Sequence, residues 1–437
     1  MPTLTLPLSR IEGHAQVVIE VHDGAVVSAH FQAMSFRGFE HFVQGVPAEQ
    51  MPIIVPRICG VCSTAHHVAA VMALEDAFGV RPPALARTIR ELLLLGQLVQ
   101  NQATSLFFFT LPDRLGLESL LQTAGRLELE EQRARLAPAA LGVRKVGTHL
   151  ISLAGGQFIH PVKAVVGGVT SGIPAEAAAA MRAEVLDTLP RALALVDHYW
   201  QIALTLQDAA PPTASPPTCC YLTATTDPCP VWCGPEIRVM DASGAHRDAF
   251  AASEHAEHLL IEPTEYSYSD RSTWHGEVLR ANSLARVNMT SHLGTPHADA
   301  YLERFREAFG APAHDIQLYD LARSIELVYG LERASELLAE PLDYEDTDVP
   351  WELRDGEGFG LVEAPRGPLV HHYVVEGGAI QSADFIIPTV HNVASIEREL
   401  KRVAAQHVDA ERIDLALERA VGMVVRAFDP CIACATH

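Results

Sequence analysis

The chain has 437 residues, of which 48% are hydrophobic and 20% are charged, enough apolar surface to bury a substantial core. Its 54 acidic residues against 32 basic ones give a formal charge of −22, which argues against nucleic acid as a partner. The sequence has no uncharged apolar run of about 18 residues and no basic start followed by a long apolar stretch. We therefore expect neither a direct membrane span nor an export signal carried by this chain.

Strand and helix patterns alternate along the sequence. Residues 14–32 alternate apolar and polar side chains on both sides of Asp23-Gly24, which predicts a β-hairpin. Apolar spacing predicts a helix from Ser63 to Phe78, so that Cys62 lies at a helix N-terminus. Further helices are predicted at 83–109, 116–153, 174–208 with a kink at Pro190, 296–309, 315–340, 393–407 and 410–427.

The first three of these long helices are expected to form a central bundle. A Pro-rich break at 210–218 begins a β-rich insertion at about 211–285, and strands with loops precede the last two helices. We therefore predict a mainly α fold with α+β elements, built as a single domain over 1–437.

The eight cysteines occur in pairs rather than in the spread pattern of a secreted disulfide framework, which favours metal or redox chemistry in a reducing compartment. The pairs are Cys59/Cys62, Cys219/Cys220, Cys229/Cys233 and Cys431/Cys434. Two of them, CGVC at 59–62 and CIAC at 431–434, share one spacing at opposite ends of the chain. Thiolates select nickel, copper(I), zinc or iron over magnesium or calcium.

Spacing alone leaves the role of these two pairs open among structural zinc, two independent redox dithiols and plain buried cysteines. A large helical protein is stabilised by its own core and does not need a structural zinc ion. A site formed by residues from opposite ends of the chain therefore favours a chemical role. His66 lies one helical turn after Cys62, where it could donate to a ligand sulfur or be a core histidine.

The chain resembles the large, catalytic subunit of the nickel-iron hydrogenases. Within that family it is more similar to the soluble cytoplasmic members. The motifs that carry the resemblance follow in family order: SRIEGH at 9–14, FRGFE at 36–40, RICGVCSTAH at 57–66, GGQFIHP at 155–161, PRGPLVHH at 365–372, PTVHN at 388–392 and DPCIACATH at 429–437. The resemblance implies the large-subunit fold and reversible heterolytic cleavage of dihydrogen.

The resemblance also implies a set of metal ligands. All four cysteines of the two pairs would bind nickel, with Cys62 and Cys434 also binding an iron that carries carbon monoxide and cyanide, and with Cys59 and Cys431 terminal on nickel. Magnesium would be bound near the chain end, by Glu40 and His437.

Roles for further residues follow from the same motifs. Glu12 matches a proton gate, although a lone glutamate before a strand is otherwise a solvated charge. Arg366 and Thr389 would donate to the cyanides, Asp429 would face Arg366, and His66 would support a cysteine. Pro365, Leu369 and Pro430 would form a dry wall around carbon monoxide.

Partners and location are implied in the same way. Electrons would pass to an iron-sulfur small subunit, then to further electron-transfer subunits. A nickel chaperone and a maturation protease, which acts after His437 in the family, would complete the centre; the sequence looks like a mature form or a member that never had an extension. A cytoplasmic location is expected, since the small subunit would carry any export signal.

Some residues depart from the family pattern. Asn101, Gln102 and Ser105 stand where many members have histidines, and His391 stands where an aromatic residue is common. Cys219, Cys220, Cys229 and Cys233 lie outside the motifs and would be ordinary thiols or an extra iron-sulfur or zinc site. Alternatives to the enzyme are a regulatory hydrogen sensor and a quinone oxidoreductase relative, which lacks the four cysteines.

Overall fold

A computed structural model describes residues 3–122, 127–208, 219–225, 232–343, 346–407 and 414–437. The helices of these residues are α1 Phe39–Phe42, α2 Met51–Ile54, α3 Ser63–Phe78, α4 Ala84–Thr104, α5 Leu111–Leu115, α6 Leu127–Gly155, α7 Ala175–Asp208, α8 His255–His258, α9 Ser283–Met289, α10 Pro296–Phe309, α11 Tyr319–Leu337, α12 Val390–His407, α13 Leu415–Phe428 and α14 Ile432–Ala435. The strands are β1 Thr3–Pro7, β2 Ala15–His22, β3 Ala25–Ala33, β4 Ala164–Val165, β5 Gly168–Val169, β6 Cys220–Thr223, β7 Glu236–Asp241, β8 His246–Ala251, β9 Leu259–Glu262, β10 Arg271–Trp274, β11 Glu277–Arg280, β12 Gly356–Ala364, β13 Gly367–Glu376 and β14 Ala379–Ile386.

The chain begins with an antiparallel sheet in the order β1-β2-β3. The turn between β2 and β3 is Asp23-Gly24, and both residues have positive φ, 50° and 76°. Such a two-residue turn matches the twist of the paired strands, which is why Asp-Gly specifies it. The predicted hairpin is confirmed, and β1 is an additional strand that the alternation did not indicate.

Four long helices form the centre of the molecule. Helix α6 packs on both α4 and α7, and α11 packs on the same two helices. Helices α4, α6 and α7 correspond to the predicted helices 83–109, 116–153 and 174–208, so the expected central bundle is confirmed. Helix α11 is its fourth member. Helix α7 runs through Pro190.

Several helix bounds differ from the predictions. The predicted helix 83–109 becomes α4 followed by one π-helical turn, Ser105–Thr110. The predicted start at 116 is wrong, because Gly116 ends α5 in the left-handed conformation at φ 68°. Helix α11 is also shorter than 315–340, and residues 410–413 of the last predicted helix lie outside the described residues.

The predicted β-rich insertion contains a six-stranded sheet in the order β8-β7-β6-β11-β10-β9. Strands β6 and β11 are parallel and the other neighbours are antiparallel. Helix α9 begins inside the predicted range 211–285 and was not expected there. Residues 211–218 and 226–231 of that range lie outside the described residues.

A third sheet, β12-β13-β14, lies directly against α3, the helix that follows the first cysteine pair. A Cβ at Gly360 in β12 would be 2.0 Å from the carbonyl oxygen of Ala69 in α3, so only glycine permits this approach. The contact brings β13 and its PRGPLVHH motif beside the first cysteine pair.

One hydrophobic cluster extends from Leu4 in β1 to Ala435 in α14, so both ends of the chain share a core. A smaller cluster joins the six-stranded sheet to Leu361 and Val370 of the third sheet. Among the described residues, no helix is long and apolar enough to cross a membrane.

Candidate metal centre and active site

Two loops from opposite ends of the chain supply the cysteines. Cys59 follows a 3-10 turn, and Cys62 caps the N-terminus of α3. Cys431 and Cys434 lie on a short segment after α13, and the N–H of Ile432 donates to the Glu12 carbonyl oxygen at 3.2 Å. The chain end is therefore paired with the N-terminal motif rather than frayed.

The four thiols converge on one point. The sulfur of Cys431 lies 3.3 Å from that of Cys59, 3.6 Å from that of Cys62 and 2.8 Å from that of Cys434. All four sulfurs lie within 4.8 Å of one another, and each residue is at most 5% exposed. Four soft donors in a buried cluster fit nickel or another thiophilic metal and do not fit a hard cation.

Charge also favours a cation in this cluster. Hydrogen bonds with the thiols of Cys431 and Cys434, followed by the charge of the Arg366 guanidinium, lower the pKa of Cys62. Burial raises the pKa of Cys431 and of Cys434. Four buried thiolates repel one another, so a bound dication is what allows all of them to ionise.

Arg366 lies above the cysteines. Its Nη1 donates to the Cys62 sulfur at 3.3 Å, and its Nη2 donates to Asp429 Oδ1 at 3.1 Å. Asp429 has φ 49°, a left-handed conformation that non-glycine residues seldom adopt, and its other oxygen accepts from Asn101 at 3.2 Å. A buried ion pair therefore holds the guanidinium in place, and Asn101, one of the departures from the family pattern, supports that pair.

Glu12 contacts the cluster at Cys431. Its Oε2 is 3.1 Å from the Cys431 sulfur and accepts from the N–H of Ala433 at 2.9 Å. Burial, followed by the charge of Cys59, raises the pKa of Glu12. A half-buried carboxylate in contact with a ligand sulfur can take up and release a proton there.

His66 begins a buried chain of hydrogen bonds. Its Nε2 lies 3.4 Å from the sulfur of Cys434, so the ligand sulfur that it faces belongs to the other cysteine pair. Its Nδ1 lies 2.9 Å from His371 Nε2, and His371 Nδ1 lies 2.6 Å from the Tyr373 hydroxyl. His371 and Tyr373 were not predicted from the sequence, although their i, i+2 spacing on β13 places both side chains on one face.

Burial lowers the pKa of His66 to about 4 and the pKa of His371 well below its ordinary range, so both rings are neutral. A metal-bound thiolate can only accept a hydrogen bond, so His66 Nε2 must donate to Cys434. His371 Nε2 then donates to His66, and the Tyr373 hydroxyl donates to His371. The Cys434 thiolate thereby sets the tautomers of both histidines, and the Tyr373 hydroxyl completes the chain as a donor.

A small cavity lies over the cysteines. It is lined by Cys62, His66, Ala364, Pro365, Arg366, Leu369, Ile387, Pro388, Thr389, Cys431 and Cys434. Pro430 was expected in its wall but is not among the lining residues. The Thr389 oxygen accepts from the Cys431 N–H at 2.9 Å, so its own proton remains to be donated.

Glu40 and His437 meet at the chain end. His437 Nε2 lies 3.1 Å from Glu40 Oε1, and His437 Nδ1 lies 2.9 Å from the Cys434 carbonyl oxygen. The N–H groups of Arg37 and Gly38 donate to the last two carbonyls. The FRGFE motif thus holds the terminus.

The remaining cysteines do not converge among the described residues. Cys219, Cys220 and Cys233 are free thiols, and Cys220 lies 3.5 Å from a Glu277 oxygen. Burial raises the pKa of Cys233 to about 12 and the pKa of Cys220 to about 12. Cys229 lies outside the described residues.

A family model described as "Nickel-dependent hydrogenase" matches residues 37–114 and 241–437, and one described as "HoxL-like" matches residues 4–36. The chain belongs to the nickel-dependent hydrogenase family, as its motifs indicated. It is a large subunit of the nickel-iron type and an oxidoreductase that cleaves dihydrogen.

Relatives of the chain are named as subunits of hydrogenases. One subunit of the F420-non-reducing hydrogenase vhu of Methanococcus voltae is 33% identical, over 91% of this chain and 97% of that protein. The beta subunit of the NAD-reducing hydrogenase HoxS of Cupriavidus necator is 31% identical, over 99% of this chain and 93% of that protein. A crystal structure of an NAD+-reducing [NiFe]-hydrogenase in the H2-reduced state aligns at a TM-score of 0.90 and 30% identity, over 100% of both chains.

Proposed function

We propose that this chain splits dihydrogen heterolytically and reversibly at a nickel-iron centre. The observation that carries the proposal is the convergence of four buried sulfurs within 4.8 Å, from both ends of the chain, beneath a cavity lined by Arg366 and beside Glu12. Nickel and iron, when bound, supply the redox chemistry and the open position at which dihydrogen is polarised.

We propose Cys59 and Cys431 as terminal nickel ligands, and Cys62 and Cys434 as ligands shared with iron. Two features support this division. Cys62, Cys431 and Cys434 all line the cavity, but Cys62 and Cys434 each face a nitrogen, of Arg366 and of His66, whereas Cys431 faces the Glu12 carboxylate. Cys59 is absent from the cavity lining.

Cyanide and carbon monoxide on iron would occupy this cavity. Cyanide needs hydrogen-bond donors at its nitrogen, and the Arg366 guanidinium and the Thr389 hydroxyl are available there. Carbon monoxide needs an apolar wall, which Pro365 and Leu369 provide. Asp429 holds Arg366 in position from behind.

Glu12 would accept the proton at the Cys431 sulfur and pass it outward. The 3.1 Å contact puts its carboxylate within reach without a bridging water. The N–H of Ala433 donates to the same oxygen and so keeps the carboxylate at this distance from the Cys431 sulfur.

Glu40 and His437 would bind magnesium with a backbone carbonyl and waters. Their side chains already meet at 3.1 Å, although a histidine is an uncommon partner for this hard cation. The ion would secure the terminal segment that carries Cys431 and Cys434.

The partner for electrons would be an iron-sulfur small subunit, followed by further electron-transfer subunits. Segment 34–53 exposes large apolar side chains, including Phe36 at 59% and Phe42 at 64%. Arg37 of the same segment donates to the carbonyls of Ile58 and Ala433, beside both cysteine loops. An apolar surface directly over a redox centre suits a permanent electron-transfer partner.

Assembly and location complete the proposal. Because all four sulfurs are buried, metal must enter before the terminal segment closes, which suits a nickel chaperone and a maturation protease. We propose a cytoplasmic location and a single domain. The regulatory sensor alternative is not favoured by the relatives, whose names are those of hydrogenases.

Infrared spectroscopy and metal analysis of the purified heteromer test the proposal. We expect carbonyl and cyanide stretching bands, one nickel per chain, iron in excess of nickel because the small subunit adds iron-sulfur clusters, and magnesium that falls in a His437→Ala variant. A metal-loaded protein without these bands would refute the nickel-iron centre, and bands without hydrogen-dependent dye reduction would refute turnover.

A further inference from the structure

We infer that Asp248, His258 and His275 form a second metal site, for a divalent transition metal of the zinc and nickel class, on the six-stranded sheet. One ligand atom from each of the three residues lies within 4.8 Å of the other two. The group is remote in sequence from the cysteine motifs, and it offers nitrogen and oxygen donors instead of sulfur.

Three separate elements bring these residues together. Asp248 is on β8 and His258 is the last residue of α8, immediately before β9. Strands β8 and β9 are the two opposite ends of the sheet order, yet His258 Nδ1 lies 2.7 Å from Asp248 Oδ2. The sheet is therefore curled so that its two edge strands approach each other, and the site lies at that seam.

The carboxylate of Asp248 is fixed by the strands around it. Its Oδ2 accepts from the indole N–H of Trp274 at 2.9 Å, and its Oδ1 accepts from the N–H of Ala249 at 2.9 Å. One ion can bind both this carboxylate and the histidine nitrogen beside it by taking the place of the proton that they share.

The two imidazoles are presented differently. The His258 ring is stacked on Phe250 at 4.3 Å and 7°, which holds its Nδ1 2.7 Å from Asp248 Oδ2, where one ion can bind both atoms. His275 is exposed in the turn between β10 and β11, where His275 and Gly276 have φ 46° and 82°. An ion can reach this site from solvent, which it cannot do at the buried cysteines.

The donor set indicates the class of ion. Two imidazoles and a carboxylate suit zinc, nickel or cobalt(II), and not magnesium or calcium, which prefer oxygen. Bonds of about 2.0–2.2 Å place ligand atoms of one ion up to about 4 Å apart. A small rotation of the exposed His275 ring closes the remaining gap. Bound metal would link the two sheet edges and stabilise the curled sheet.

Zinc titration of the purified, metal-loaded heteromer tests this inference. EDTA first removes exposed metal while the buried centre keeps its own, and ZnCl2 is then added in a calorimeter. We expect one added zinc per chain, and in His275→Asn a binding constant weaker by more than about tenfold. Asparagine followed by glycine suits the same turn, so this variant keeps the hairpin.

His292→Ala, which removes another exposed histidine, is the matched control and should bind zinc like the unaltered protein. Cobalt(II) gives a second measurement: weak visible bands without sulfur charge-transfer bands identify nitrogen and oxygen ligands. Equal zinc binding by His275→Asn and the unaltered protein, or no zinc beyond the cysteine centre, would overturn the site. Infrared bands of the nickel-iron centre are read in the same samples, so failure of one proposal is distinguishable from failure of the other.

Discussion

Glu12 shows how one side chain can serve both structure and chemistry. Its backbone carbonyl accepts from Ile432, and its carboxylate accepts from Ala433 while touching the Cys431 sulfur. Two hydrogen bonds from the terminal segment, one to the backbone carbonyl and one to the carboxylate, thus hold Glu12 against the Cys431 sulfur. The adjacent Gly13 has φ 83°, and a Cβ there would lie 2.7 Å from the Ile432 side chain, so the approach requires glycine.

Glu12→Gln should slow hydrogen/deuterium exchange by about 100-fold or more, because an amide accepts the Ala433 hydrogen bond but does not relay protons. Metal content and infrared bands should stay unchanged. Glu20→Gln on β2 is the matched control and should exchange normally. Unchanged exchange in Glu12→Gln would remove Glu12 from the proton path.

Tyr373→Phe tests the hydrogen-bond chain that ends at Cys434. Loss of the hydroxyl leaves His371 Nδ1 buried without its donor and weakens the chain of hydrogen bonds that reaches Cys434 through both histidines. We expect the carbonyl and cyanide bands to shift and the free energy of unfolding to fall by about 1–3 kcal/mol.

Tyr221→Phe is the control for Tyr373→Phe. Tyr221 is likewise fully buried, and its hydroxyl lies 2.7 Å from His314 Nδ1, but it belongs to the six-stranded sheet. This variant should lose stability without any band shift. Bands that stay in place in Tyr373→Phe would show that the tyrosine does not act on Cys434.

At the scale of elements, the β12-β13-β14 sheet supports the site through its central strand. His372 on β13 lies 2.8 Å from Asp384 on β14 and 2.8 Å from Glu357 on β12, so one imidazole links all three strands. Its ring is also stacked on Phe359 at 4.2 Å. The next residue on each side, His371 and Tyr373, points to the buried face.

This link makes the sheet sensitive to pH. Burial disfavours the imidazolium, but hydrogen bonds to Asp384 and Glu357 outweigh burial and raise the pKa of His372 above 6.5. Its stabilisation is therefore complete below about pH 6.5 and is lost as pH rises through the folded-state pKa. His372→Gln should lower the free energy of unfolding by less than about 1 kcal/mol at pH 5.5, because both carboxylates are exposed, and should not change it at pH 9.

Urea unfolding at the two pH values measures this difference, with His292→Gln as a control. A loss of stability in His372→Gln that is equal at both pH values would mean that packing on Phe359, not charge, is the cause.

At the scale of the whole molecule, segment 34–53 carries large apolar side chains that folding of this chain leaves exposed. Met34 and Ile53 are each 49% exposed, in addition to Phe36 and Phe42. The same segment contacts both cysteine loops through Arg37. A partner bound there would lie next to the metal centre.

Phe42→Asp should weaken association with the small subunit by at least about tenfold, because it places a charge in an apolar contact. Leu186→Asp, at a leucine that is 43% exposed on α7, is the control and should assemble normally. Co-purification and sedimentation measure the effect. Full assembly of Phe42→Asp would move the interface elsewhere.

Much of the fold and of the centre follows from local signals in the sequence. Asp23-Gly24 specifies its turn through backbone conformation alone, and the helix after Cys62 follows from apolar spacing. The paired cysteines and their flanking motifs identify the family. These features need only neighbouring residues, so a single sequence records them.

Contacts between distant segments were decided by the tertiary structure. The packing of α3 on β12 and β13 selects Cys434 as the sulfur that His66 faces and adds His371 and Tyr373 behind it. The curling of the six-stranded sheet unites Asp248 with His275. The spacing of residues along the chain predicts which face of a helix or strand a side chain occupies. Which residue it then contacts depends on how whole helices and strands pack, and that packing follows from burial of the complete core.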